Sequence, residues 1–113
     1  MSSASATPAA KAFVQTTIAQ NKVVVFSKTY CPYASKAKST MKSLLPSSNY
    51  VVIELDQRPD GDEIQDALAE ATGGRTVPRV FVGGVFIGGG DDTVRKASTG
   101  ELQTLLAQVG ALP

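Results

Sequence analysis

Histidine and tryptophan are absent from the 113 residues, cysteine occurs once, and aromatic residues make up 6% of the chain. Without histidine there is no imidazole to serve as general base or metal ligand, and a single cysteine forms neither an internal disulfide nor a thiolate zinc cluster. No excess charge of either sign is present. Lys and Arg number 11 against 10 Asp and Glu, which gives no reason to invoke nucleic acid or an anionic membrane. No apolar run approaches the ~20 residues of a membrane span, and Met1 to Ala10 lacks the charged start and apolar middle of a signal peptide. A reducing compartment such as the cytoplasm is the default for such a chain. The Ser, Ala and Thr content of Met1 to Ala10 also suits the stub of a trimmed organellar targeting sequence, and that alternative stays open.

What is present is organised around Val23 to Ala34, Val-Val-Val-Phe-Ser-Lys-Thr-Tyr-Cys-Pro-Tyr-Ala. Its β-branched first half reads as a buried strand, and Pro32 suits the first turn of a helix, where a missing N–H costs nothing. Cys31 is thereby placed at a helix N-terminus. Unpaired backbone N–H groups and the helix dipole stabilise negative charge there, and Lys28 adds a nearby ammonium. A solitary cysteine is more often a small buried apolar residue, but this placement reads as a thiolate nucleophile.

The rest of the chain alternates helices and strands. Residues 1 to 7 read as a tail, Pro8 is able to open a helix to about Gln20, and the domain proper is taken from residue 11, with 1–10 assigned as a flexible N-terminal segment. A second helix runs from about Tyr33 to Leu45. Tyr50 to Leu55 reads as another buried strand, and Asp62 to Thr72 as a third helix with Gly73-Gly74 at its C-cap. Val80 to Ile87 spells a hairpin turning at Gly83-Gly84. Asp91-Asp92 is expected to cap a helix to about Ser98, and Glu101 to Val109 forms the last one. This order predicts an α/β, thioredoxin-like fold: a four-stranded mixed sheet flanked by about five helices, in one domain.

Three stretches carry a family resemblance: Ser27 to Tyr33, Arg75 to Val82, and Ile87 to Asp92. In that order and spacing they resemble a class I glutaredoxin over about Lys11 to Pro113. The missing tryptophan argues against a thioredoxin proper, and Cys-Gly-Phe-Ser of the iron-sulfur carrier branch is absent. One departure is plain: the family pattern is Cys-Pro-Tyr-Cys, and Ala34 stands where the second, resolving cysteine is expected. Alanine there reads as an engineered Cys-to-Ala change, since it keeps the burial and removes the sulfur chemistry.

The resemblance implies a glutathione-dependent oxidoreductase that reduces glutathionylated mixed disulfides through Cys31 alone, as a monomer with glutathione as co-substrate and without a metal. Lys28 and Gln65 are implied at the glycine carboxylate of glutathione. Gln65 by itself reads as a plain exposed polar residue. Thr76, Val77 and Pro78 read either as a loop entering a strand or, with a cis bond before Pro78, as a backbone edge that pairs with a peptide-like substrate. Gly88 to Gly90 followed by Asp91 and Asp92 offers bare backbone, free N–H donors and carboxylates for the γ-glutamyl end. Tyr33 reads equally as core cover and as pocket wall. Two other functions compete. In one, two chains and two glutathiones hold a [2Fe-2S] cluster; in the other, loss of the second cysteine leaves a glutathione-binding module without turnover.

Overall fold

The computed structural model describes residues 6–113, and its centre is β1 (Val23–Ser27), whose five residues are all buried. β1 pairs in parallel with β2 (Val51–Glu54) and antiparallel with β3 (Arg79–Val82), and β3 continues into β4 (Val85–Gly88). The sheet order is β2-β1-β3-β4, the mixed four-stranded arrangement expected. Among the described residues five α-helices cover it: α1 (Pro8–Gln20), α2 (Pro32–Leu44), α3 (Gly61–Thr72), α4 (Gly90–Thr99) and α5 (Glu101–Gln108).

The period-two alternation of β1 divides the core. Val24 and Phe26 face α1 and α3, meeting Ala10, Val14, Ile64, Leu68 and Phe81. Val23 and Val25 face the opposite side, where Ala37 and Met41 of α2 pack with Leu102 and Leu106 of α5. Burial of each such aliphatic side chain stabilises the fold by roughly 1.5–3 kcal/mol, and Phe26 adds an edge-to-face contact with Phe81 at 5.7 Å between ring centres. The hairpin turns as its sequence demands: Gly83 and Gly84 both take positive φ, 59° and 79°, which residues with a Cβ avoid.

Three expectations need correction. Residues 6–10 are no tail: Ala6 and Ala10 are buried, Ala6 N–H bonds Glu70 Oε2 at 2.7 Å, and Thr7 caps α1 through Ala10 N–H at 3.1 Å. The remainder of the expected tail, residues 1–5, lies outside the described residues. The apolar run of β2 is half-buried rather than buried, because β2 is an edge strand with one neighbour. Only one of the two expected aspartates caps α4. Gly89 is the N-cap position and Asp92, in the first turn, accepts its N–H at 3.0 Å, while Asp91 sits in the same turn without a capping bond, where negative charge is favoured.

Candidate active site

β1 ends at Ser27, and the chain reverses through Lys28 to Cys31, closed by Cys31 N–H to Lys28 O at 3.1 Å. Cys31 is the N-cap of α2 in extended conformation, followed by Pro32 in the first turn. Its carbonyl accepts from Ser35 N–H at 3.0 Å and from the Ser35 hydroxyl at 3.2 Å, which fixes the helix start. The Cys31 side chain makes no capping bond, so the sulfur is free of the helix it begins. It is part-exposed, and its S–H donates to Val77 O at 3.6 Å. Ala34, one turn further along α2, is fully buried.

Beside the sulfur runs an open groove of about 520 Å³ lined by Tyr33, Thr76 to Arg79, and Gly89 to Asp92. The Val77–Pro78 bond is cis, and the Val77 carbonyl faces Cys31. The start of α4 forms the opposite wall. It approaches the start of α2 so closely that a Cβ on Gly90 would stand 2.4 Å from the Tyr33 carbonyl oxygen. Gly90 is needed for proximity rather than for flexibility. The amides of Gly90, Asp91 and Asp92 belong to a first helical turn, where backbone donors lack intrahelical acceptors and favour an anion.

The two carboxylates there are engaged differently. Asp92 accepts Gly89 N–H at 3.0 Å and Arg95 Nη2 at 2.8 Å. The Gly89 N–H first, then the Arg95 guanidinium, hold its carboxyl below the usual carboxylate range. Asp91 is more exposed and meets Lys36 Nζ at 3.4 Å. Lys36 in turn lies 5.1 Å from the centre of the half-exposed Tyr33 ring.

Lys28 lines a second pocket, of about 170 Å³, together with Asp56, Arg58, Asp62 and Gln65. Lys28 and Gln65, both expected at one carboxylate from the resemblance, line the same pocket. The exposure expected for Gln65 is not found. It is 6% exposed, and its Nε2 donates to Arg75 O at 2.8 Å, because α3 turns this position toward the loop that leads into β3. One of the two amide hydrogens is committed to that loop.

A glutaredoxin family model matches residues 23–87, the stretch from β1 to β4. The chain belongs to the glutaredoxin family. It is therefore a glutathione-dependent thiol oxidoreductase with a thioredoxin-like fold. Glutaredoxin-C4 of Arabidopsis thaliana is 50% identical over 110 residues, covering 97% of this chain and 79% of its own. The crystal structure of oxidized glutaredoxin 2 from Chlamydomonas reinhardtii is similar at a TM-score of 0.88 and 52% identity, covering 92% of this chain and 96% of that one. A buckwheat glutaredoxin–glutathione complex aligns at a TM-score of 0.86 and 46% identity, over 93% of this chain and 94% of that one.

Apart from Ala34, buried in α2, the expected site residues fall on three features: the Cys31 turn, the groove, and the Lys28 pocket. Arg79 and Asp56 join them without having been anticipated. Arg79 Nε donates to Thr76 O at 2.8 Å and Nη2 to Thr76 Oγ1 at 3.1 Å, with the guanidinium 5.0 Å from the centre of the Phe86 ring, so a flat cation is pinned on the groove wall. Its place directly after Pro78 was the available signal. Asp56 carries none, since nothing local distinguishes it from other turn carboxylates.

Proposed function

We propose that Cys31 reduces glutathionylated disulfides by a single-thiol route. The Cys31 thiolate attacks the glutathione sulfur of a mixed disulfide. A Cys31–glutathione bond forms, the original S–S bond breaks, and the partner's thiolate departs with the electron pair and takes a proton from water. A second glutathione thiolate then attacks the bound glutathione sulfur, releasing glutathione disulfide and regenerating the Cys31 thiolate. The same thiolate serves as nucleophile in the first step and as leaving group in the second. Ala34 lacks the sulfur needed to resolve the intermediate internally, and we read it as an engineered replacement for cysteine.

The observation that supports this most directly is the part-exposed Sγ at the N-cap of α2, 3.6 Å from the Val77 carbonyl and beside an open groove. Glutathione would lie with its cysteine backbone along Val77, between Thr76 and Pro78, in the manner of a short added strand. Its γ-glutamyl carboxylate would meet the α4 amides at Gly90 and Asp91. Its ammonium would meet Asp91 rather than Asp92, whose oxygens are taken by Gly89 and Arg95. Its glycine carboxylate would reach Lys28 and the free amide hydrogen of Gln65, with Tyr33 as a wall of the groove.

Partners on this reading are glutathione and glutathionylated proteins, met by a monomer in the cytoplasm. Among the described residues no helix is long and apolar enough to cross a membrane. Incubation with glutathione disulfide followed by intact-mass measurement tests the first half-reaction: one glutathione adduct, mapped to Cys31, is expected, and its absence would sink the assignment. A glutathione-coupled turnover assay separates the enzyme from a binding module. In the cluster alternative the same sulfur supplies one of four cluster ligands in a dimer. Colourless protein of monomer mass after anaerobic purification is the expected result.

A further inference from the structure

The turn that carries Cys31 is gripped from outside by one carboxylate. Thr29 donates its backbone N–H to Asp56 Oδ1 at 3.0 Å and its hydroxyl to Asp56 Oδ2. Both carboxylate oxygens engage the same residue, so the grip sets its orientation as well as its place. Within the turn, Cys31 N–H returns to Lys28 O at 3.1 Å and Ser27 Oγ reaches the same oxygen at 3.3 Å. Those bonds shape the turn. The bonds to Asp56 tie its exposed middle, Thr29 and Tyr30, to another element.

The anchor is rigid before the turn reaches it. Asp56 lies in the short 3-10 turn Leu55–Gln57 directly after β2, and the neighbouring Leu55 side chain is buried in the core. The first residue of α3, Gly61, presses against this turn: a Cβ there would stand 2.3 Å from the Leu55 carbonyl oxygen. A carboxylate mounted on such a base gives up little conformational freedom when it holds a loop. The hydroxyl and then the N–H of Thr29 keep its carboxyl below the usual range, so it remains charged in neutral solution. Asp56 also shares the 170 Å³ pocket with Lys28 and Gln65.

We propose that Asp56 is a positioning residue for thiol exchange: through Thr29 it holds Lys28 and Cys31, the two ends of the turn, at one fixed separation. A substrate captured by its carboxylate at Lys28 then presents its sulfur to Cys31. The bonds of Asp56 go to Thr29, not to the reacting sulfur. This inference rests on Cys31 as nucleophile and Lys28 as carboxylate contact.

The test compares Asp56→Ala, Asp56→Asn, Thr29→Val, Thr29→Ser and the double variant Asp56→Ala/Thr29→Val. Turnover of a glutathionylated peptide is measured alongside alkylation of Cys31 by iodoacetamide, a neutral reagent that needs no carboxylate contact. Misplacing a reacting group by about 1 Å is enough to cost up to ~100-fold, so Asp56→Ala and Thr29→Val are each expected to lower kcat/KM by about tenfold, with a raised KM. The double variant should be no worse than the poorer single one, because one link is broken either way. Thr29→Ser keeps both donors and should stay within about twofold of the parent, Asp56→Asn should fall between, and alkylation should change less than about twofold throughout. Additive losses, or loss of melting temperature with kcat/KM unchanged, would overturn the positioning role while leaving the parent chain's adduct at Cys31 intact. A parent chain that takes up no glutathione overturns the nucleophile assignment and this inference together.

Discussion

The sulfur of Cys31 and the carbonyl oxygen of Val77, 46 positions apart in the chain, lie 3.6 Å from each other. The contact joins the start of α2 to the loop before β3, so the proposed nucleophile and the backbone edge proposed for the substrate are one unit. Its geometry depends on the two helix starts beside it, on the turn behind it and on the charges at either end of the groove. Each of these is open to a specific measurement.

Ala34→Cys should introduce a resolving thiol one helical turn from Cys31. The position is fully buried, and replacing alanine by cysteine adds one small apolar atom. Turnover of glutathionylated substrates should persist, while disulfide reduction measured as insulin precipitation should appear in the variant and be absent from the parent.

Gly90→Ala should damage the groove. The added methyl would fall 2.4 Å from the Tyr33 carbonyl oxygen, which is backbone and unable to step aside, so α4 must move away from α2. Overpacking of this kind costs about 1–3 kcal/mol. Urea unfolding should show that loss, together with a raised KM for glutathionylated peptide.

Lys28→Met should weaken substrate capture and leave the fold alone. No carboxylate forms an ion pair with Lys28 among the described residues, so the side chain is available to a ligand. Loss of one charge-assisted contact of roughly 1.5 kcal/mol corresponds to about a tenfold rise in KM. The difference from the parent chain should shrink as salt is added, since the pocket is open to solvent.

Asp92→Asn should destabilise the chain in a pH-dependent way. The folded-state carboxyl is held below its ordinary value of 3.8 by Gly89 N–H and Arg95, so its stabilisation is fully present above that value and fades as pH falls through the lower folded one. Melting temperatures of the two proteins should therefore differ most at neutral pH and converge below about pH 4. A constant gap across the titration would mean that the charge of Asp92 contributes nothing.

Local pattern was enough to reveal much of this molecule. The β-branched run at Val23, the Gly83-Gly84 turn and the Pro32 helix start each state their conformation within a few residues, and the structure has all three where the sequence places them. The edge position of β2 was not legible, because a short apolar run does not say how many neighbours it will have. The burial of Gln65 escaped for a related reason: its partner is the Arg75 carbonyl, ten residues on, and only the packing of α3 against that loop brings them together. Asp56 is the furthest from legibility. Its role depends on Thr29, 27 residues earlier, arriving across the sheet's parallel pair.

The single cysteine has a practical corollary. Of the sulfur-bearing side chains beyond Met1, Met41 is sealed in the interior and Cys31 is accessible. A maleimide-linked fluorophore or nitroxide added to this polypeptide is therefore delivered to a single address without competing attachment. Any change in its emission or tumbling reports on events at the junction of α2, α4 and the Val77 loop.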